Sequence, residues 1–338
     1  RCSAADAFLK PAMQRPNLAV ATGALCHKVI LENGRAVGVR VEIDGEEKDV
    51  IARKEVILSG GALNSPHLLM LSGVGPADQL REHGVSVERD LPGVGANMQD
   101  HLDIMARART SKPTSVGYSV RKFPATARDV LQWAVTGSGA FTVNPVQGCG
   151  FVKSSVAGDL PDLQLVFIPA LASPHGRETL TGHGMSLHIC HLYPKSRGRL
   201  SLKSADPRDP VVIDPNYLDH EEDVTAMTDA LELARDILSS DAFSGEFKAL
   251  DLPAETDASR ASLEADMRAR AETLYHPTST CAMGEGELAV TDPQCRVHGI
   301  ERLRVVDASV MPAVPGGNTN APTIMVATRA ADMILASQ

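Results

Sequence analysis

Through the first sixty positions apolar and polar residues alternate over short stretches, and most breaks fall on a turn dipeptide. Leu18 to Thr22, Cys26 to Leu31 and Ala36 to Ile43 read as strands, the last two joined at Asn33-Gly34. Asp44-Gly45 marks a second hairpin leading to a strand near Asp49 to Ala52. Residues 1 to 15 read as a short helix that ends before Pro16. Glu55 to Ser59 is a short buried strand that runs through Gly60-Gly61 into a helix from Ser65 to Leu71. Ser65 is its expected cap, Pro66 its first position and Gly73 its stop. A further short helix is expected at Ala77 to His83.

The pattern changes after residue 105. Alternation at Leu163 to Ile168, Met185 to Tyr193 and Arg199 to Leu202 predicts one antiparallel sheet, and Asp223 to Leu238 and Ser259 to Ala271 have helical periodicity. The division implied is 1–104, 105–274 and 275–338, the first and last parts forming one domain around the middle one. The chain closes on a strand from Leu303 to Asp307, a Pro/Gly-rich loop from Met311 to Asn320, and a helix from about Ala321 to Ala336. Asn320 is its expected cap, Pro322 lies in its first turn, and Ile324, Met325, Ala327, Ala331, Ile334 and Leu335 form its apolar stripe. Its N-terminus, aimed at the loop, suits a group that becomes anionic.

Composition narrows the function classes. A net charge of −9 over 338 residues, with no Lys/Arg-rich run, argues against nucleic acid. No apolar stretch is long enough to span a bilayer. The six cysteines are scattered and include no CxxC, which reads as buried thiols in a reducing compartment with no zinc site; the location expected is cytoplasmic, with membrane association as the alternative. Gly73-Val-Gly75 and Gly93-Val-Gly95 lack the strand-turn-helix setting and third glycine of a dinucleotide loop, and read as turns. His188 and His191 lie on opposite faces of a strand and share no metal. Asp100, His101 and Asp103 read as a solvated loop cluster.

His276 stands apart. It sits in LYHPTSTCAMG, where Pro277 enforces an extended backbone, and a neutral imidazole is the natural general base. Asn318, in the Gly-rich loop, can donate a hydrogen bond, so the two can bracket one hydroxyl group.

These segments resemble the glucose-methanol-choline (GMC) family of FAD-dependent oxidoreductases. The resemblance rests on GGALNSPHLLMLSGVGP at 60–76, YHPTSTCAMG at 275–284 and VVDASVMPAVPGGNTNAPTIMVATRAADMI at 305–334. Weaker echoes are RPNLAVATGALCHKVI, GVGANMQDH at 93–101, and PKSRGRLSL through DPNYL at 194–218. The resemblance implies an α/β fold of mixed α+β character. An incomplete FAD-binding Rossmann-like domain would accompany a substrate domain with an antiparallel sheet flanked by helices. It assigns the catalytic histidine to His276 and the second active-site position to Asn318. That position is Asn in choline-type and aliphatic-alcohol members and His in sugar and aryl-alcohol oxidases. It puts Asp307 and Ala308 near the flavin's ribityl chain and ring, and Thr319 on the flavin through its backbone. Cys26 falls where the main chain meets the adenine. Ser279 departs from the pattern, since Gly is common there.

The implied reaction is oxidation of a primary alcohol, choline-like or aliphatic, to an aldehyde. His276 would take the proton and hydride would pass to flavin N5, with oxygen or a quinone-like acceptor as reoxidant. Two alternatives stand beside it: a hydroxynitrile lyase-like member that keeps FAD without net redox change, and an inactive truncated fragment. The sequence opens on Arg1 and lacks the GxGxxG turn and acidic ribose ligand of the family's N-terminal segment. An upstream segment is therefore an expected partner, and the isolated chain is expected to hold FAD weakly or not at all and to be catalytically silent.

Overall fold

The computed structural model describes residues 2–112, 115, 123–173, 180–253 and 259–337. It has mixed helix and strand, organised about two hydrophobic cores.

The first core begins with an antiparallel sheet of β1 (Ala24–Glu32), β2 (Arg35–Ile43) and β3 (Glu46–Ile51). Its two turns are Asn33-Gly34, with φ of 50° and 76°, and Asp44-Gly45, with φ of 54° and 80°. Paired positive φ values give the tight turn whose twist matches the strands, and Asn, Asp and Gly reach that region most cheaply. β4 (Val56–Leu58) follows and leads into α1 (Gly61–Leu71). β4 pairs in parallel with β10 (Leu303–Val305), so strands from the chain's first and last thirds close one core. The final helix α4 (Asn320–Ala336) packs Val326, Ala330 and Met333 against that core.

The second core lies under a six-stranded antiparallel sheet. β5 (Leu102–Thr110), β6 (Gly148–Val152), β7 (Leu163–Ile168), β8 (Gly184–His191) and β9 (Phe247–Leu252) run in the order β9-β5-β8-β7-β6. The short strand Glu272–Thr273 adds to β5. Alternate residues Leu102, Ile104, Ala106, Leu187 and Ile189 face α2 (Glu221–Ser239) and α3 (Arg260–Arg270) through Met227, Leu231 and Met267. Cys190 pairs with both Asp103 and Gln164, which places all three on the opposite, polar face.

Several expectations change. Leu18 to Thr22 forms no strand; Leu18 and Val20 are exposed, and no strand among the described residues pairs with them. Arg199–Ser201 leaves the large sheet and pairs with Val212–Asp214 instead. In α4 the exposed positions include Met325 and Leu335, so a second apolar stripe is the buried one; the helix is apolar most of the way round, and its pattern does not choose a face. Thr319, not Asn320, occupies the cap position of α4.

α1 starts at Gly61, four residues before the expected cap, so Pro66 lies inside it. Proline cannot donate to the carbonyl of residue 62. The hydroxyl of Thr280, from a segment more than two hundred residues away, donates to the Ala62 carbonyl at 2.6 Å instead. Replacing Thr280 by Val should cost about 2 kcal/mol, because it strands a buried acceptor. In a Pro66→Ala background, which restores the helical N–H, the same change should cost clearly less. Urea unfolding of the four proteins measures the difference; equal costs in both backgrounds would separate Thr280 from the proline.

Candidate active site

The site is built on the segment 276–284, which runs between other chain segments. On one side the N–H groups of Ser279, Cys281 and Met283 donate to the carbonyls of Ala308, Ser309 and Val310. On the other, Thr278 exchanges backbone hydrogen bonds with Gln99, and Gly95 donates to the carbonyl of Thr280. Ser279 is fully buried with φ at 72°, a conformation in which a side chain is strained. Tyr275, the residue before His276, has φ at 62°. Positive φ thus occurs just before and just after the His276-Pro277-Thr278 turn.

His276 is half-buried and held from two directions. Its backbone N–H donates to Asp100 Oδ1 at 2.9 Å, and its Nδ1 lies 2.9 Å from Nδ1 of His101. The two rings meet edge-on, with centroids 5.1 Å apart. Nε2 of His276 makes no hydrogen bond among the described residues. Asp100 is buried, and its other oxygen accepts from the hydroxyls of Tyr217, at 2.5 Å, and Thr273. His101 is fully buried, with Nε2 at 3.2 Å from the Leu192 carbonyl. Burial, and next the neighbouring His276, push the His101 pKa down to about 4, against the pull of the Leu192 and Pro315 carbonyls. Burial also lowers His276, with Asp100 acting in the opposite sense. Both imidazoles are therefore neutral at pH 7.

Asp100 and His101, expected in a solvated loop, are thus among the most buried polar groups of the chain. The signal that marks them is spatial: His101 meets His276 across 175 positions of sequence. Asp103, of the same cluster, takes His188 Nδ1 at 2.6 Å, while its other oxygen is buried without a partner. His188 and His191 share no ligand, and no metal-holding cluster of His, Cys, Asp and Glu occurs among the described residues.

Asn318 is exposed, and its carbonyl oxygen accepts from Gln164 Nε2 at 3.3 Å, on the polar face of the large sheet. Its amide N–H groups make no hydrogen bond among the described residues. The loop that carries it is tied to Gln99, which reaches the Pro312 carbonyl and the Val314 N–H. His276 and the Asn318 loop are therefore both anchored on the 99–101 segment, with no direct hydrogen bond between them.

The remaining expected positions gather elsewhere. Asp307 is buried, and both oxygens are filled: Oδ2 accepts from Gly61 N–H at 2.9 Å and Ser65 Oγ at 2.5 Å, Oδ1 from Ser309 N–H and Oγ. Its side chain thus clamps the Gly60-Gly61 turn to the end of β10. Ser65 receives the Gly60 N–H as well. Cys26 faces that turn across a cleft of about 510 Å³ lined also by Val56, Leu58, Gly60 and Ser65. Burial raises the Cys26 thiol pKa, which keeps it neutral. Gly61, at φ 80°, has open space where a side chain would sit. Ala308 is half-buried beside Ser279, and Thr319 caps α4 through its backbone carbonyl, which accepts from Thr323.

The profile of the GMC oxidoreductase family matches residues 1–103 with its N-terminal part and 194–327 with its C-terminal part. The chain is 44% identical to an alcohol dehydrogenase [acceptor] of Pseudomonas putida, over 99% of this chain and 61% of the relative. It is 41% identical to an oxygen-dependent choline dehydrogenase of Chromohalobacter salexigens, over 99% of this chain and 60% of the relative. The chain thus spans about three fifths of the length of these relatives. Among solved structures, pyridoxine 4-oxidase from Mesorbium loti superposes with a TM-score of 0.84 at 29% identity, covering 98% of this chain and 61% of that one. A formate oxidase of Aspergillus oryzae gives 0.90 at 26% identity, covering 97% and 62%.

Two outcomes follow from this geometry. Ser279→Gly should leave the urea midpoint nearly unchanged, since relief of strain offsets the extra freedom of glycine in the unfolded chain, whereas Ser279→Val should cost about 2 kcal/mol or more. Equal behaviour of the two variants would contradict the strained conformation. Stability should also fall with acid. The unfolded chain binds a proton at His101 below pH 6.5, and the native ring refuses it until about pH 4. The loss grows as pH falls through that window, on the order of 3 kcal/mol from this group. His101→Asn should flatten the stability-against-pH curve between pH 6.5 and 4; an unchanged slope would show that the ring titrates normally.

Proposed function

The chain belongs to the GMC oxidoreductase family, and from that premise we propose that it oxidises a primary alcohol, choline-like or aliphatic, to an aldehyde with FAD as cofactor. The observation that carries the reading is His276: a neutral imidazole, fixed by Asp100 and His101, with Nε2 unengaged among the described residues.

The residues present fit FAD. Cys26 and the Gly60–Ser65 turn line a cleft where backbone can approach a ligand closely, and the open position at Gly61 leaves room for one. Asp307, with its oxygens filled, acts by holding that turn. Ala308 and the Thr319 backbone border the same region of the fold as the 276–284 segment and the N-terminus of α4. The N-terminus of α4 favours negative charge beside it. When bound, FAD supplies the hydride acceptor, and the protein supplies binding, orientation and the base.

The protein's own part is proton and position. His276 receives the hydroxyl proton at Nε2, and Asn318 donates an amide hydrogen to the alcohol oxygen, with Gln164 fixing the amide's orientation. The relatives' names, one an alcohol dehydrogenase [acceptor] and one an oxygen-dependent choline dehydrogenase, support a choline-like or aliphatic substrate and leave oxygen or a quinone-like molecule as reoxidant. Six unpaired thiols suit a reducing compartment, and no helix among the described residues is long and apolar enough to cross a membrane.

In the FAD-loaded protein, His276→Ala should lower alcohol turnover by about a hundredfold or more. Asn318→Ala should lower both turnover and alcohol affinity, and Asn318→His should be milder, since a ring N–H can replace the amide. Turnover near wild type in His276→Ala would remove His276 from the chemistry.

A further inference from the structure

We propose that His101 is a positioning residue that fixes the tautomer of His276, holding its proton on Nδ1 so that Nε2 carries the lone pair. The inference rests on the assignment of His276 as base and adds to it the group that makes it one.

The Leu192 carbonyl can only accept, so His101 Nε2, 3.2 Å away, must carry a hydrogen and donate it. His101 is neutral, and of the two carbonyls that act on its ring Leu192 pulls harder than Pro315 and takes the ring's one carbonyl hydrogen bond among the described residues, so the single proton sits on Nε2 and Nδ1 is an acceptor. His276 Nδ1, 2.9 Å from that acceptor, must then be the donor. A neutral His276 with hydrogen on Nδ1 has its lone pair on Nε2. The reverse arrangement would put two lone pairs against each other in a site from which water is excluded, since His101 is fully buried. The Leu192 carbonyl is itself fixed in place, because it follows the end of β8 and the Leu192 N–H donates to the Asp162 carbonyl. The order of tautomers therefore starts in the large sheet and ends at the reacting nitrogen.

The groups around the pair do not break this order. Asp100 meets His276 through its backbone N–H, its other oxygen is taken by Tyr217 and Thr273, and among the described residues the His276 ring makes no hydrogen bond to its carboxylate that would compete with His101. His191 is buried near His101 and is pushed toward neutrality by burial. When His276 takes up the proton at Nε2, the Nδ1–H bond to His101 becomes charge-assisted and shortens the step energetically, since hydrogen bonds from ionised donors are roughly twice as strong. His101 thus sets the proton position before the reaction and stabilises the imidazolium after it.

The test reads the tautomer itself. In protein labelled with nitrogen-15 at histidine, the nitrogen shifts at pH 7.5 should show a protonated Nδ1 and an unprotonated Nε2 for His276, and the reverse for His101. A nitrogen–nitrogen coupling across the Nδ1–H···Nδ1 bond should link the two rings. His101→Leu should abolish the coupling and move the His276 shifts toward the Nε2-protonated form. His101→Asn, whose side-chain oxygen can accept, should retain protonation at Nδ1. In alcohol oxidation, His101→Leu should lower kcat at least tenfold and displace the lower limb of the pH profile, with His101→Asn recovering most of it. Wild-type His276 protonated at Nε2, or absence of the coupling in a folded wild-type sample, overturns the inference without recourse to any variant. Shifts as expected together with activity indifferent to His276 would instead uphold the tautomer order and defeat the alcohol-base reading.

Discussion

Burying a carboxylate is costly unless its oxygens are filled, and at Asp100, Asp223 and Asp307 this protein meets that constraint by tying loops together. Asp100 gathers a backbone N–H and two hydroxyls from Tyr217, Thr273 and His276. Asp307 gathers four donors from Gly61, Ser65 and Ser309, and Asp223 three from Lys195 and Ser196. Desolvating such a charge costs several kcal/mol unless every oxygen is paired. Each cluster therefore forms as a whole or not at all, which makes irregular backbone as definite as a helix. Asp100 places His276, and Asp307 places the turn that faces Cys26. The chemistry depends on loops, and the loops depend on these carboxylates.

The same logic explains why the site sits where the two cores meet. The large sheet supplies a rigid polar face and the fixed Leu192 carbonyl. The β4–β10 unit supplies the Asp307 clamp and the N-terminus of α4. Segment 276–284 links them through backbone bonds to 308–310 on one side and to 95–99 on the other. Positive φ at Tyr275 and Ser279 lets the chain turn sharply around His276, and the hydrogen bonds on both flanks hold it there.

Much of this was legible in the sequence because it is local. Asn33-Gly34 and Asp44-Gly45 announce their hairpins, alternation at Leu163 to Ile168 announces a sheet strand, and the periodicity of Asp223 to Leu238 announces a helix. What the pattern missed is decided at long range. Asp100 and His101 look like a solvated cluster until a histidine from 175 positions away covers them. α1 starts earlier than its sequence predicts, because Pro66 usually marks a first turn and nothing local reveals that Thr280 serves the carbonyl it leaves free. The buried stripe of α4 could not be chosen from periodicity, since apolar residues surround that helix. Arg199 to Leu202 alternates like its neighbours, yet its partner strand is at 212–214. His276 and Asn318 stand out by their residue type and setting, whereas the groups hydrogen-bonded to them, His101 and Gln164, carry no mark in the local sequence.

The central claim is that this chain's histidine and asparagine serve alcohol oxidation on a flavin. Its most direct test is a single turnover without oxygen, in which FAD-loaded protein is mixed with a primary alcohol while the flavin absorbance is followed. The account predicts loss of the yellow band with one aldehyde formed per flavin, and a slower loss when the alcohol carries deuterium at the reacting carbon. A flavin that stays oxidised while the protein cleaves a cyanohydrin to aldehyde and cyanide would contradict it.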